Sequence, residues 1–442
     1  MQEKDTTFYK ILPNGLKIVH RMSQSEVAYV GIMIGTGTRD EEPQLNGLAH
    51  YVEHTVFKGC TTAQGKNITA RELIHKIEGI GGEINAYTTK EETTYYAATP
   101  VAHYAQTLQL LADMVFRPTF PKHETDKEVG VILDEIESYE DSPSELIYDD
   151  FENLIFHGHP MGMSILGTKK TLHNISRTPT HALDWVAKNY TPDRMVVFSQ
   201  GRMSFESVCH QIEKAIDSLT HSRSDCAPRT PSLFEAKSRL ASPHYPLDSR
   251  SKRQAVPIVA PSEQIFKRHT HQTHVMLGGR AYELGNDKQL TAYLLNNILG
   301  GGSLNSRLNL SLREQKGLVY TVESQYVPLS DTGYWNVYFA CEAQQLEQCL
   351  ALTGKELKRL REEKLSSLQL HRAIEQLRGQ MAISAENQEN NVLAMGKSML
   401  YHNRALTWEQ VFKKIETISA DNLLHVANEL FAENNIFTLF YA

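Results

Sequence analysis

The sequence predicts an α+β protein of two homologous domains, each an antiparallel-rich β-sheet packed with α-helices. Three observations lead there. The chain has 442 residues, too many for a single core, so two domains of about 200 residues are expected. Strand-like runs with period-two alternation and helical runs with a period near 3.6 occur in both halves. After a Ser/Pro-rich stretch, the order of these runs repeats weakly.

The elements follow in order. "LKIVH" and "VAYVGIMIGTG" alternate apolar and small residues between turn signals and predict strands. Residues 45–58 predict a helix, as does "ITARELIHKIEGIGG", stopped by Gly81 and Gly82. The Thr- and Tyr-rich "EINAYTTKEETTYYAATP" predicts a strand pair turning near Lys90. Apolar periodicity predicts helices over 101–116, 123–140 and 145–156. "RMVVFSQG" predicts a closing strand and "SFESVCHQIEKAIDSL" a final helix, with helices on one side of the sheet. The boundaries expected are 1–222 for the first domain, 223–262 for a linker and 263–442 for the second domain.

In the second half, "QTHVMLGGRAY" matches "VAYVGIMIGTG", and "LTAYLLNNILGGG" falls where "GLAHYVEHTVFKG" fell. "VYTVESQYVPLSDTGYWNVYFA" repeats the strand pair. Tyr293, Asn296 and Asn297 then stand in the places of His50, Glu53 and His54, so the second copy keeps the helix and lacks its chemistry.

Composition narrows the function. Hydrophobic residues are 41 % and charged residues 22 %, and the net charge of −7 forms no block of like sign, which argues against nucleic acid or a membrane surface as partner. The N-terminal stretch has no basic and apolar regions of a signal peptide, and no run approaches a membrane-spanning length. A cytoplasmic protein without membrane insertion is expected, with the mature form of an exported protein as the alternative. The five cysteines, at 60, 209, 226, 341 and 349, form no close pair and predict free thiols. Cys60 lies close to the His/Glu cluster and reads either as a small buried side chain or as a thiol whose modification perturbs that cluster.

The chemistry concentrates in "HYVEH". On a helix, His50 and His54 lie one turn apart on one face and can both reach one metal ion. Glu53 lies on the adjoining side, poorly placed as a third ligand and well placed to take a proton from metal-bound water. HxxEH inverts the more familiar HExxH zinc helix. The alternative is an exposed or hydrogen-bonded pair of helix histidines. A catalytic zinc needs a third protein ligand from another element. "KHETDKEVGVILDEIESYEDSP" offers Glu128 and Glu135, seven apart on one helical face bounded by Val131 and Ile132, which should point inward. A solvated carboxylate face is the alternative for this pair.

With these motifs in hand, the chain resembles the insulinase/pitrilysin (inverzincin) family of zinc metallopeptidases, in its mitochondrial-processing-peptidase-like short bacterial type. The resemblance rests on "GLAHYVEHTVFKG", "GGEINAYTTKEETTYYAATP", the Glu128/Glu135 pair and "ILGGGSLNSRLNLSLREQKGLVYTVES". It implies His50, His54 and Glu135 as ligands of one zinc ion per subunit. It implies Glu53 as catalytic base and Glu128 as a supporting catalytic carboxylate. Asn85 and Ala86 match an edge strand that receives substrate backbone, and Arg313 and Tyr320 match a substrate-contacting pair in the second domain. Gly300, Gly301 and Gly302 match a flexible loop of the family. The activity implied is zinc-dependent endopeptidase action on peptides or unfolded segments bound as an added β-strand. Because both parts stand in one chain, a homodimer with composite active sites is expected. The alternatives are a non-catalytic scaffold subunit and a catalytic subunit needing a different partner chain.

Overall fold

The computed structural model describes residues 7–178, 180–220, 253–268 and 270–442. Residues 223–252 of the expected linker, with Cys226, lie outside the described residues. The chain divides into two compact units: the described residues of Met1–Ile136, Met163–Arg253 and Asn387–Leu406 form one, and those of Glu137–Gly162, Gln254–Glu386 and Thr407–Ala442 the other.

The first unit starts with β1 (Thr7–Ile11), β2 (Lys17–Met22), β3 (Val27–Ile34) and α1 (Leu48–Val56). A small ribbon of β4 (Gly59–Thr61) and β5 (Asn67–Thr69) leads into α2 (Ala70–Glu78). Thr69 caps α2: its hydroxyl accepts from the Glu72 amide and the Glu72 carboxylate accepts from the Thr69 amide. Then come β6 (Glu83–Thr88), β7 (Thr93–Pro100), α3 (Tyr104–Phe116) and α4 (Lys122–Glu140), whose last residues pass into the second unit. α5 (Pro143–Ile155) belongs to that second unit, and the chain returns with α6 (Lys169–Arg177), α7 (Thr180–Asn189), β8 (Met195–Gly201) and α8 (Phe205–Thr220). The sheet order is β1-β2-β8-β3-β7-β6, antiparallel except for β2 beside β8.

The second unit contains β9 (Glu263–Phe266), β10 (Thr273–Ala281), α9 (Gln289–Gly300), β11 (Val319–Pro328) and β12 (Gly333–Cys341). They are followed by α10 (Leu346–Glu362), α11 (Ser367–Ala385), α12 (Gln388–His402), α13 (Trp408–Glu416), α14 (Ala420–Leu430) and β13 (Phe437–Tyr441). α12 belongs to the first unit. The sheet order is β11-β12-β10-β13-β9, again antiparallel except for β13 beside β9.

The two sheets share one wiring. Reading β9, β10, β11, β12 and β13 onto β2, β3, β6, β7 and β8 reproduces every neighbour and every strand direction. The helix after the second of these strands and the five helices between hairpin and last strand also correspond, α3–α7 to α10–α14. The weak repeat in the sequence is therefore a duplicated fold.

The contiguous halves 1–222 and 263–442 are not the compact units, because each half gives up the third of its five helices. α5 buries Ile147, Phe151, Leu154 and Ile155 with Met276, Tyr334, Tyr338 and Leu439 of the second sheet. α12 packs on β8 and β2, and Gly396 lies so close to Phe198 that a Cβ would meet its ring at 2.8 Å. Lys397 adds an ion pair of 2.7 Å to the buried Glu92, and Tyr96 donates to Glu389 at 2.5 Å. Helices on one side only were expected, yet both faces of each sheet are covered. The strands announce this: Val275 and Leu277 point into one core and Met276 into the other, so consecutive residues are buried. Arg253, which falls within the expected linker, has its side chain buried in the first unit.

Candidate metal centre

The helix carrying "HYVEH" is aimed from its first turn. Gly47, at φ 93°, makes the left-handed turn into α1, and a Cβ there would meet the Leu166 carbonyl oxygen at 2.7 Å. The Glu41 carboxylate accepts from the Gly47 amide at 2.8 Å, the Ala49 amide at 2.7 Å and the Asn46 side-chain amide at 3.0 Å. A carboxylate on the first amides of a helix answers their unpaired donors and the helix dipole. Burial nonetheless pushes the Glu41 carboxyl up to about 7, against the pull of those donors.

α1 and α4 bring three donors together. His50 Nε2 and His54 Nε2 each stand 3.6 Å from Glu135 Oε2, and the candidate ligand atoms of these three residues lie within 4.8 Å of one another. Two donors on a tetrahedral zinc, each at about 2.0–2.1 Å, sit about 3.4 Å apart. The observed spacing suits a shared ion and is too long for a hydrogen bond. Two imidazoles and one carboxylate are also the donor types such an ion takes in a catalytic site, with a fourth position open. The residues present fit the group.

The tautomers follow from the surroundings. Glu128 Oε1 lies 2.9 Å from His54 Nδ1, so Nδ1 carries the proton and donates, which leaves the Nε2 lone pair facing Glu135. Glu128 is in turn held by Lys58 Nζ at 2.6 Å. Its contacts are with His54 and Lys58, so it positions the His54 ring. In α4, Ile132 is buried but Val131 is exposed, contrary to the expectation that both point inward.

His50 is buried, with Nδ1 lacking a hydrogen-bond partner, and burial together with the neighbouring His54 lowers its pKa to about 3. Both acids beside it shift the other way: burial raises the Glu53 and Glu135 carboxyls. Glu53 stands outside the three-donor group and accepts from the Thr88 hydroxyl at 3.1 Å, which links α1 to β6. Cys60 is fully buried and its thiol is pushed up to about 12 by burial, so it is the inert small side chain of the two readings.

The remaining expected residues lie as follows. Asn85 and Ala86 are in β6, the edge strand of the first sheet, which pairs only with β7 among the described residues. The Ala86 amide donates to its neighbour's side chain, Asn85 Oδ1, at 3.2 Å, so this N–H points away from β7 toward the open edge. Arg313 and Tyr320 belong to the second unit, with the guanidinium 5.7 Å from the exposed Tyr320 ring. Gly300 ends α9 and Gly301 caps it; their lack of a side chain serves close packing, since a Cβ would meet Ser324 Cβ at 2.8 Å or Asn297 Oδ1 at 2.3 Å.

Four contributors escaped the sequence reading. Glu41, Lys58 and Thr88 shape the centre directly. Arg253 braces it from behind: its guanidinium bonds Asp40 at 2.7 Å and Glu91 at 2.9 Å, tying the loop before α1 to the β6–β7 turn. Burial alone would raise the Asp40 carboxyl, but the Arg253 guanidinium holds it below its ordinary value. Only for Glu41 was a local signal available, an acid shortly before a Gly-initiated helix.

Known proteins share both the sequence and the fold. The family described as insulinase (peptidase family M16) matches residues 17–169, and the peptidase M16 inactive domain matches residues 177–377. An uncharacterized zinc protease of Bacillus subtilis, YmxG, is 31 % identical over 426 residues, covering 95 % of each chain. An uncharacterized zinc protease of Streptomyces coelicolor is 30 % identical over 421 residues, covering 95 % of this chain and 86 % of its own. Among solved structures, a protease from Helicobacter pylori superposes with a TM-score of 0.82 at 20 % identity, over 99 % of this chain and all 100 % of its own. A Pseudomonas fluorescens structure described as a peptidase M16 inactive domain has a TM-score of 0.83 at 18 % identity, over 99 % of this chain and 97 % of its own. On the full-length identity and both family matches, this chain belongs to the insulinase family of peptidases, family M16.

Proposed function

We propose that the protein is a zinc-dependent endopeptidase that takes up peptides or unfolded segments as an added strand along β6. One observation carries this reading: His50, His54 and Glu135 converge while Glu53 stands beside them outside the group. A bound zinc ion supplies Lewis acidity, polarising a scissile carbonyl and a water. The remaining work falls to side chains. His50, His54 and Glu135 hold the metal, and Glu128 keeps His54 in the tautomer that can do so. Glu53, steadied by the Thr88 hydroxyl, takes the proton from the attacking water and passes it to the leaving amine. The outward amide of Ala86 offers a main-chain donor to an extended substrate, displacing the Asn85 side chain that covers it. Glu53→Gln is expected to keep stoichiometric zinc, measured by elemental analysis, and to lose cleavage of an unfolded protein. Substantial remaining turnover would show that another group is the base.

The non-catalytic reading is weakened by this constellation, which a scaffold does not need. The match to an inactive domain falls largely on the half where Tyr293, Asn296 and Asn297 replace the metal-binding pattern.

The proposal extends to a homodimer in which Arg313 and Tyr320 of one copy serve the centre of the other, stabilising charge on the substrate carbonyl. An equal mixture of Glu53→Gln and Arg313→Ala chains, each inactive alone, is then expected to recover about a quarter of wild-type activity, because half the dimers are mixed and each has one intact site. No recovery from a mixture proven to exchange subunits would remove the composite site and leave the metal chemistry standing.

A further inference from the structure

The second unit carries a cavity of about 210 Å³ between the end of α9, the loop after it and α11. The duplicated wiring makes this the counterpart of the metal centre. α9 answers to α1 and α11 to α4, the helices that bring the three donors together in the first unit. The Ser324 hydroxyl of β11 donates to Asn296 Oδ1 as the Thr88 hydroxyl of β6 donates to Glu53, which leaves Asn297, its next neighbour, in the place of His54. Asn297 lines the cavity.

The chemistry of the place is inverted. Where α4 supplies carboxylates, α11 supplies Arg372, and Arg307 joins it from the start of the short helical segment after the loop; no acidic residue lines the cavity. Its donors are in excess. The Arg372 side chain, exposed to solvent, forms no hydrogen bond or ion pair among the described residues, and the Asn297 side chain forms none either. Arg307 Nη1 is buried without a hydrogen-bond partner, 3.8 Å from the nearest carboxylate oxygen of Glu356. Asn305 and Gln376 do not compete, since their amides satisfy each other at 3.0 and 3.1 Å. A guanidinium with open donors selects a planar anion that accepts two parallel hydrogen bonds. The cavity has room for several waters, which suits a carboxylate bearing a short carbon chain.

We propose that this cavity is a carboxylate-binding site, built where the duplicated domain lost its metal centre, with Arg372 and Arg307 as the binding cations. The ligand is a small free carboxylate or the carboxyl terminus of a peptide. The proposal does not depend on zinc or on peptidase activity.

Isothermal titration of the full-length protein tests it with sodium glutarate, neutral glutaramide, inorganic phosphate, and a blocked dipeptide carrying either a free or an amidated carboxyl terminus. Glutarate or the dipeptide acid is expected to bind saturably at one site, with the neutral counterpart silent, and Arg372→Gln should weaken binding at least about tenfold. Arg372 has no partner to lose, so the variant should unfold at the wild-type midpoint. Competition between the dipeptide acid and glutarate would assign the site to peptide termini, and binding of glutarate alone to a free carboxylate. The proposal fails if neither acid binds, if glutaramide binds equally, if phosphate binds in their place, or if Arg372→Gln and Arg307→Gln both leave binding within twofold.

Discussion

Removing Glu128 probes the centre without removing a metal ligand. Its carboxylate holds His54 Nδ1 at 2.9 Å and Lys58 Nζ at 2.6 Å, and only 10 % of the side chain is exposed. Glu128→Ala has two consequences that add. The His54 ring loses the acceptor that keeps its proton on Nδ1, so part of the population turns or changes tautomer and withdraws Nε2. The Lys58 ammonium, 24 % exposed, is left unneutralised on the far side of that carboxylate and raises the positive potential where a cation must bind. Losing such a partner behind a ligating histidine costs about 10–100-fold in metal affinity, or about 1.4–2.7 kcal/mol. Glu128→Gln keeps an acceptor oxygen but removes the charge, so its loss should be smaller, about tenfold. Competition against a chromophoric chelator measures both, with circular dichroism confirming the fold. Zinc affinity of the alanine variant within twofold of wild type would refute the claim that Glu128 sets the His54 tautomer.

Two further outcomes are expected. Arg253→Ala leaves Asp40 and Glu91 buried with one cation fewer, and since Arg39 still reaches Glu91 at 2.8 Å the cost should lie near the low end for a broken buried pair, about 3 kcal/mol in urea unfolding; a cost below about 1 kcal/mol would show that the brace contributes little. For the metal-free protein, His50 has a folded pKa lowered to about 3, so the fold favours the neutral ring. Its contribution is complete above the unfolded value near 6.5 and is lost as pH falls from there, by about 2 kcal/mol at pH 5. Urea unfolding at pH 7.5 and 5 should show that His50→Asn is less acid-sensitive than wild type by about this amount, and equal sensitivity would contradict it.

Much of the architecture was legible because it is local. The β6–β7 hairpin, α3, α4 and α5 fall within a few residues of their expected bounds, since apolar period and turn residues are written into each segment. α6 and α7 were not anticipated, and neither was β1. The compact units group α5 and α12 otherwise than the contiguous halves do. α5 and α12 look like ordinary amphipathic helices, and nothing in their own residues says which sheet will cover their apolar faces.

The same division holds at the centre. Helical spacing alone puts His50 and His54 on one face with Glu53 beside them, and puts Glu128 and Glu135 on one edge of α4, because a helix has a fixed period. Which carboxylate meets Nε2 and which meets Nδ1 is set by how α1 lies against α4, a matter of long-range packing. So are the Glu41 cap, the Lys58 contact and the Arg253 brace, each a bond between residues from separate elements whose meeting no local pattern encodes.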